Sequence, residues 1–237
     1  MALPKLNATP KYELVIPSTR QKVRFRPFLM KEEKVMLIAM ESEDTTLLMD
    51  TIVDTISTCI EDDINVKKFT TFDIEYCFLK IRAKSVGETS QLLFNCSNCQ
   101  HENQVNVNID DIKLDVPKID PLIKIDEEIS VEMQWPNFNS VAKNSAIMNS
   151  DSSVDQIFAM VRACLVSINT QEERFAVSDH SPEEIDNFIE SLSTDQFSKI
   201  RDYIEKMPRL KHDIHFVCSS CAHENKITVE GMQSFFS

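Results

Sequence analysis

The spacing of apolar positions changes along the chain, and each change marks an element. Residues 12–28, YELVIPSTRQKVRFRPF, read as two short extended segments around Pro17-Ser18-Thr19, predicting an N-terminal β-hairpin. Helical spacing follows. Leu48, Ile52, Ile56, Cys59 and Ile60 recur every third or fourth position behind Asp44, a good N-cap. Thr70 with Asp73 three residues later forms a capping box, opening a helix with Ile74, Phe78 and Ile81 on one side. Cys59 and Cys77 fall among these apolar positions and read as small core residues.

Alternation returns at Glu88, through Leu92-Leu93-Phe94, a turn over 96–103, and Val105-Asn106-Val107-Asn108. Residues 110–136 are acidic, punctuated by proline and partly alternating (Ile123/Ile125, Ile129/Val131/Met133), which suggests a short sheet segment. The spacing then predicts a helix over 153–168, with Val154, Ile157, Phe158, Val161, Leu165 and Ile168 on one face. Ser181-Pro182-Glu183-Glu184 supplies an N-cap, a first-turn proline and a capping-box Glu for the next helix. Another begins at Thr194 and stops at Pro208.

The strongest signal is an internal repeat. Residues 94–107, FNCSNCQHENQVNV, match residues 216–229, FVCSSCAHENKITV, in register at Phe, both Cys, Ser, His, Glu, Asn and the final Val. Each copy reads as strand, Cys-x-x-Cys turn, strand. One such turn offers two thiolates, half of a closed tetrahedral shell, and two turns complete it. Cys96, Cys99, Cys218 and Cys221 are therefore the candidate ligands of a structural Zn²⁺. Two alternatives stay open: a metal-free or disulfide-linked set, and replacement of one Cys by His101 or His223. A hydrogen bond from either histidine to the site or its hairpin fits the spacing better than ligation. Four thiolates leave no open position for catalysis, and there is no His-Glu-x-x-His. The glycine usual after the second Cys of a knuckle is replaced by Gln100 and Ala222, which implies strained or differently shaped turns.

The predicted class is α+β. Residues 1–87 form an N-terminal hairpin and helical region, 88–110 with 209–231 a split two-knuckle zinc ribbon, and 111–208 a mostly helical insertion between the knuckles.

Composition narrows the function. Two glycines in 237 residues, Gly87 and Gly231, exclude a dinucleotide fingerprint, a P-loop and a serine-hydrolase elbow. The net charge is −13. Residues 1–35 hold eight Lys/Arg against three acids (8 − 3 = +5), so the remainder carries −18. Such a body repels nucleic-acid phosphates and anionic lipid, so neither partner is expected. The longest apolar run, Val35 to Met40, is too short to span a bilayer. The start lacks a secretory layout and seven cysteines is an odd count, which points to synthesis in a reducing cytoplasm. Arg20, Lys22, Arg24 and Arg26 alternate with Val23 and Phe25, placing four cations on one strand face. That stripe is either a charge-guarded edge strand or a docking surface for an acidic protein.

Several stretches resemble the baseplate hub subunit proteins of T4-like contractile-tailed bacteriophages. They are Leu14-Val15-Ile16-Pro17-Ser18-Thr19, Val23-Arg24-Phe25-Arg26-Pro27-Phe28-Leu29-Met30-Lys31-Glu32-Glu33-Lys34, Phe72-Asp73-Ile74-Glu75-Tyr76 through Arg82-Ala83-Lys84-Ser85-Val86-Gly87-Glu88, and both Cys-x-x-Cys segments. The resemblance implies a small protein of the virion tail baseplate, made in the host cytoplasm, that binds other baseplate hub proteins during hub assembly, and it implies no enzyme and no small-molecule substrate. It carries Cys96, Cys99, Cys218 and Cys221 as the metal-type positions. Either a permanent hub subunit or a transient, chaperone-like assembly factor fits it. A nucleic-acid-binding zinc ribbon is the reading that the acidic body opposes.

Overall fold

Strands β1 (Tyr12–Val15) and β2 (Lys22–Phe25) pair antiparallel across the Pro17 turn, with Leu14, Val23 and Phe25 turned into the protein. The structure is a computed structural model that describes residues 9–42, 44–112, 114–142 and 153–231. Residues 1–8, part of the cationic N-terminal stretch, lie outside that set. The chain forms two compact units, residues 1–115 with 209–237, and residues 116–208.

In the first unit the hairpin leads into α1 (Met30–Glu41), α2 (Thr45–Cys59) and α3 (Thr71–Val86). Asp44 caps α2 by accepting from the Thr46 and Leu47 amides at 2.9 and 3.1 Å. The Thr70–Asp73 capping box opens α3 as its sequence indicates. Asp73 also accepts from the Ser18 amide (2.9 Å) and hydroxyl, so one fully buried carboxylate fastens the hairpin turn to the helix. Helix α1 has no counterpart in the sequence reading, because Val35–Met40 is apolar without a period. Gly87 ends α3 at φ 124°, a region that side-chain-bearing residues avoid.

Two hairpins then account for the repeat. Strands β3 (Thr89–Asn95) and β4 (Glu102–Asn108) form one. The other pairs Lys211–Val217 with Glu224–Glu230; both its strands begin 122 positions after their counterparts (211 − 89, 224 − 102). They are separate two-stranded sheets. Leu92 and Val107 from one, and Ile214 and Val229 from the other, share a core with Leu79 and Ala83 of α3. Phe94 and Phe216, equivalent in the repeat, stack at 6.1 Å.

The second unit is a four-stranded antiparallel sheet, β5 (Leu122–Lys124), β6 (Ser130–Met133), β7 (Leu165–Asn169) and β8 (Arg174–Ala176), in that order. Helices α4 (Phe138–Ala142), α5 (Ser153–Cys164), α6 (Pro182–Ser191) and α7 (Thr194–Glu205) belong to the same unit. Its core gathers Val131 and Met133 of the sheet with Val161, Ile185, Ile189 and Ile200 of the helices. The helix expected over 153–168 is shorter than its spacing suggests. It stops at Cys164, and Leu165–Asn169 instead bonds along β6, with Ile168 opposite Val131. The segment expected to be mostly helical therefore carries a complete small sheet. By order, the hairpin strands of the repeat's second copy are β9 and β10.

Candidate metal centre

Each Cys-x-x-Cys turn closes in the same way. In the first, the Cys96 amide donates to the His101 carbonyl (2.9 Å) and the Gln100 amide to the Cys96 carbonyl (2.9 Å). In the second, Cys218 donates to His223 (2.9 Å) and Ala222 to Cys218 (3.0 Å). Such a turn needs a left-handed residue after its second Cys, and Gln100 (φ 58°) and Ala222 (φ 57°) provide it. The strain expected from the missing glycines sits at these two residues. At roughly 1–2 kcal/mol for a side-chain-bearing residue, both turns are held by their surroundings.

The turns bring four sulfurs together. The Sγ atoms of Cys96, Cys99, Cys218 and Cys221 all lie within 4.8 Å of one another. The closest pairs cross between turns, Cys96 with Cys221 at 3.7 Å and Cys99 with Cys218 at 3.6 Å. All four are free thiols, and these separations far exceed a disulfide bond of about 2.05 Å. A tetrahedral shell with Zn–S bonds of about 2.3 Å puts its sulfurs about 3.8 Å apart. The donor set thus has the size, number and softness for a zinc-like cation. Among the described residues the cluster contains no histidine.

A second layer cross-braces the two turns. Asn225 of β10 accepts from the Ser97 amide and hydroxyl, both at 2.9 Å. Its own amide donates to Cys96 Sγ (3.6 Å) and to the His223 carbonyl (3.0 Å). Asn103 of β4 does the same in reverse, accepting from Ser219 (2.9 and 3.1 Å) and donating to Cys218 Sγ (3.6 Å) and the His101 carbonyl (2.8 Å). Each hairpin thereby holds a cysteine of the other. Both asparagines are buried, whereas His101 and His223 are exposed. The role foreseen for the histidines belongs to the asparagines two residues on, and the histidines contribute their carbonyls. The repeat contained the signal, since Asn103 and Asn225 match in register.

Electrostatics distinguishes Cys96, Cys99 and Cys218. Burial opposes ionisation of Cys218, but the Cys221 and Ser220 amides, the Asn103 amide and the Cys99 thiol outweigh it and push its pKa down to about 6. Cys96 is lowered in the same manner, against burial, by the Cys99 and Asn98 amides and by Asn225. Cys99 receives the His101 amide, which favours its thiolate. Crowding by the neighbouring thiols together with burial prevails there and pushes it up to about 12. Four adjacent thiolates repel one another, and a divalent cation is what lets all four ionise together.

The remaining cysteines behave as core residues. Burial raises Cys59 to about 11 and Cys164 to about 12, and raises Cys77 as well.

The cationic stripe is not one face. Arg20 sits in the hairpin turn at φ 59°, and only Lys22 and Arg24 lie on the exposed side of β2. Lys22 pairs with Glu13, and Arg24 with Asp62 at 3.4 Å. Arg26, beyond the strand, turns inward to Glu32 at 2.8 Å, with its side chain only 15% exposed. Strand alternation fails at both ends because β2 is four residues long.

A protein-family model described as T4 bacteriophage base plate protein matches residues 9–237. Comparison with curated proteins and with solved structures gives no match. Among the described residues, no helix is long and apolar enough to cross a membrane.

Proposed function

Because the chain belongs to the T4 bacteriophage base plate protein family, we propose that it is a subunit of the baseplate hub that works by binding neighbouring baseplate proteins, with one structural zinc ion. The observation that carries the zinc is the closed set of four cysteine sulfurs, each turn braced by an asparagine of the other hairpin. On this reading the module is a zinc ribbon split by the second unit. Its metal joins hairpins that lie more than a hundred residues apart in sequence, through a contact that neither hairpin makes alone. A four-thiolate shell has no position left for a substrate, which supports contact rather than catalysis. Arg20 stays exposed in the turn of the N-terminal hairpin, outside the Lys22–Glu13 and Arg24–Asp62 pairs, and is the cation of the stripe best placed to meet an acidic neighbour.

Quantitative proteomics of purified virions tests the role. A hub subunit is recovered in fixed ratio to the other hub proteins. Absence from finished particles that nonetheless require the gene would make the protein an assembly factor instead.

A further inference from the structure

The four clustered cysteines differ in exposure. Cys96 and Cys218 are buried, whereas Cys99 and Cys221 are exposed. The sulfur contacts join one of each kind and cross from turn to turn, Cys96 with Cys221 at 3.7 Å and Cys99 with Cys218 at 3.6 Å. Asparagines hold the buried partners in this crossed arrangement. Asn225, on the hairpin that carries Cys221, donates to Cys96 Sγ, and Asn103, on the hairpin that carries Cys99, donates to Cys218 Sγ, each at 3.6 Å. The Asn98 side chain also reaches across, to Cys221 Sγ at 3.7 Å.

Exposure decides where an oxidant enters, and proximity decides which sulfur answers. Hydrogen peroxide at the exposed Cys99 takes two electrons from its thiolate, giving a sulfenic acid and hydroxide. The Cys218 thiolate attacks that sulfur, the S–O bond breaks, and a second hydroxide leaves as the S–S bond forms. Cys221 and Cys96 react in the same way with a second peroxide. Each pair thus gives two electrons to one peroxide, and its sulfurs close to about 2.05 Å. No thiolate then remains to hold a cation.

We propose that Cys96–Cys221 and Cys99–Cys218 are latent disulfide pairs that take over from metal ligation under oxidation and keep the two hairpins joined. A bond inside either Cys-x-x-Cys turn spans three positions and leaves the hairpins unlinked. The crossed bonds span 125 and 119 positions, the long closures that constrain an unfolded chain most. A tail baseplate passes from the cell that builds it to the medium outside, where disulfides persist. Crossed pairs keep the split module closed through that passage. The inference rests on the closed four-sulfur set of the proposed centre, and not on which metal it holds.

Treating the full chain with hydrogen peroxide, followed by alkylation and non-reducing tryptic mapping, tests it. Trypsin leaves Cys96 and Cys99 together on residues 85–113, and Cys218 and Cys221 together on residues 212–226. The expected result is one linked mass that reduction splits into these two peptides. Partial reduction with differential alkylation should then read Cys96 with Cys221 and Cys99 with Cys218. The oxidised chain should keep its circular dichroism spectrum in excess chelator, with a urea midpoint above that of the reduced chain in the same chelator. Two unlinked peptides, each carrying an internal disulfide or sulfinic acids, would overturn the proposal. So would Cys96 paired with Cys218, or an oxidised chain no more stable in chelator than the reduced one. A chain that carries no metal yet forms the crossed pairs refutes the zinc reading alone; one that binds zinc yet forms bonds within each turn refutes only this inference.

Discussion

Asn225→Ala is the substitution that most sharply separates a braced metal centre from four cysteines that happen to be adjacent. It deletes the acceptor of the Ser97 amide and hydroxyl and the donor to Cys96 Sγ and the His223 carbonyl. At a net 0.5–1.5 kcal/mol per hydrogen bond, with partial rehydration of the exposed Ser97, the loss is about 2–4 kcal/mol. Partners that orient metal ligands typically account for about 10–100-fold in metal affinity, so competition with a chromogenic chelator should shift by that factor. Asn103→Ala removes the equivalent set on the other side and should match it within about 1 kcal/mol in urea unfolding. Asn225→Asp preserves size and the acceptor for Ser97 but places a carboxylate against a thiolate, so it should lose proportionately more metal affinity than stability. A loss below about 0.5 kcal/mol with unchanged chelator competition would refute the reasoning, since buried and satisfied amides cannot be removed so cheaply.

Three further outcomes are expected. Gln100→Gly and Ala222→Gly, at φ 58° and 57°, should each stabilise the protein by about 0.5–1 kcal/mol in chemical denaturation, the left-handed strain relieved less the entropy that glycine adds to the unfolded chain. Ala222→Val should do the reverse. Asp73→Ala removes the anchor of Ser18 and Thr70, and should lower stability by about 2–4 kcal/mol in urea unfolding while leaving metal content unchanged. Mass spectrometry after alkylation near pH 8 should find Cys59, Cys77 and Cys164 unmodified until the protein unfolds, because burial raises all three thiols; Cys96 and Cys218, whose thiolates the turn amides favour, should become reactive as soon as a chelator is added.

What could be read from the sequence was local. The capping boxes at Thr70–Asp73 and Ser181–Glu184 place helix starts because side chain and amide are three residues apart, within one turn. The repeat placed the four cysteines that the fold brings together, since matched spacing encodes matched turns. What escaped depends on partners distant in sequence. Leu165–Asn169 continues a helical spacing and becomes a strand because β6 is there to pair with it. Asn103 was visible as a repeated residue, but its bonds reach Cys218 and Ser219 across the fold, which spacing does not encode. Helix α1 was hidden because its six consecutive apolar residues, Val35–Met40, show no period to detect.

Metal analysis of the purified protein, beside its Cys218→Ser variant, bears most directly on the central claim. The account predicts one zinc ion per chain in the parent and loss of both metal and much of the stability in the variant. A parent that is metal-free, fully reduced and as stable as Cys218→Ser would contradict it.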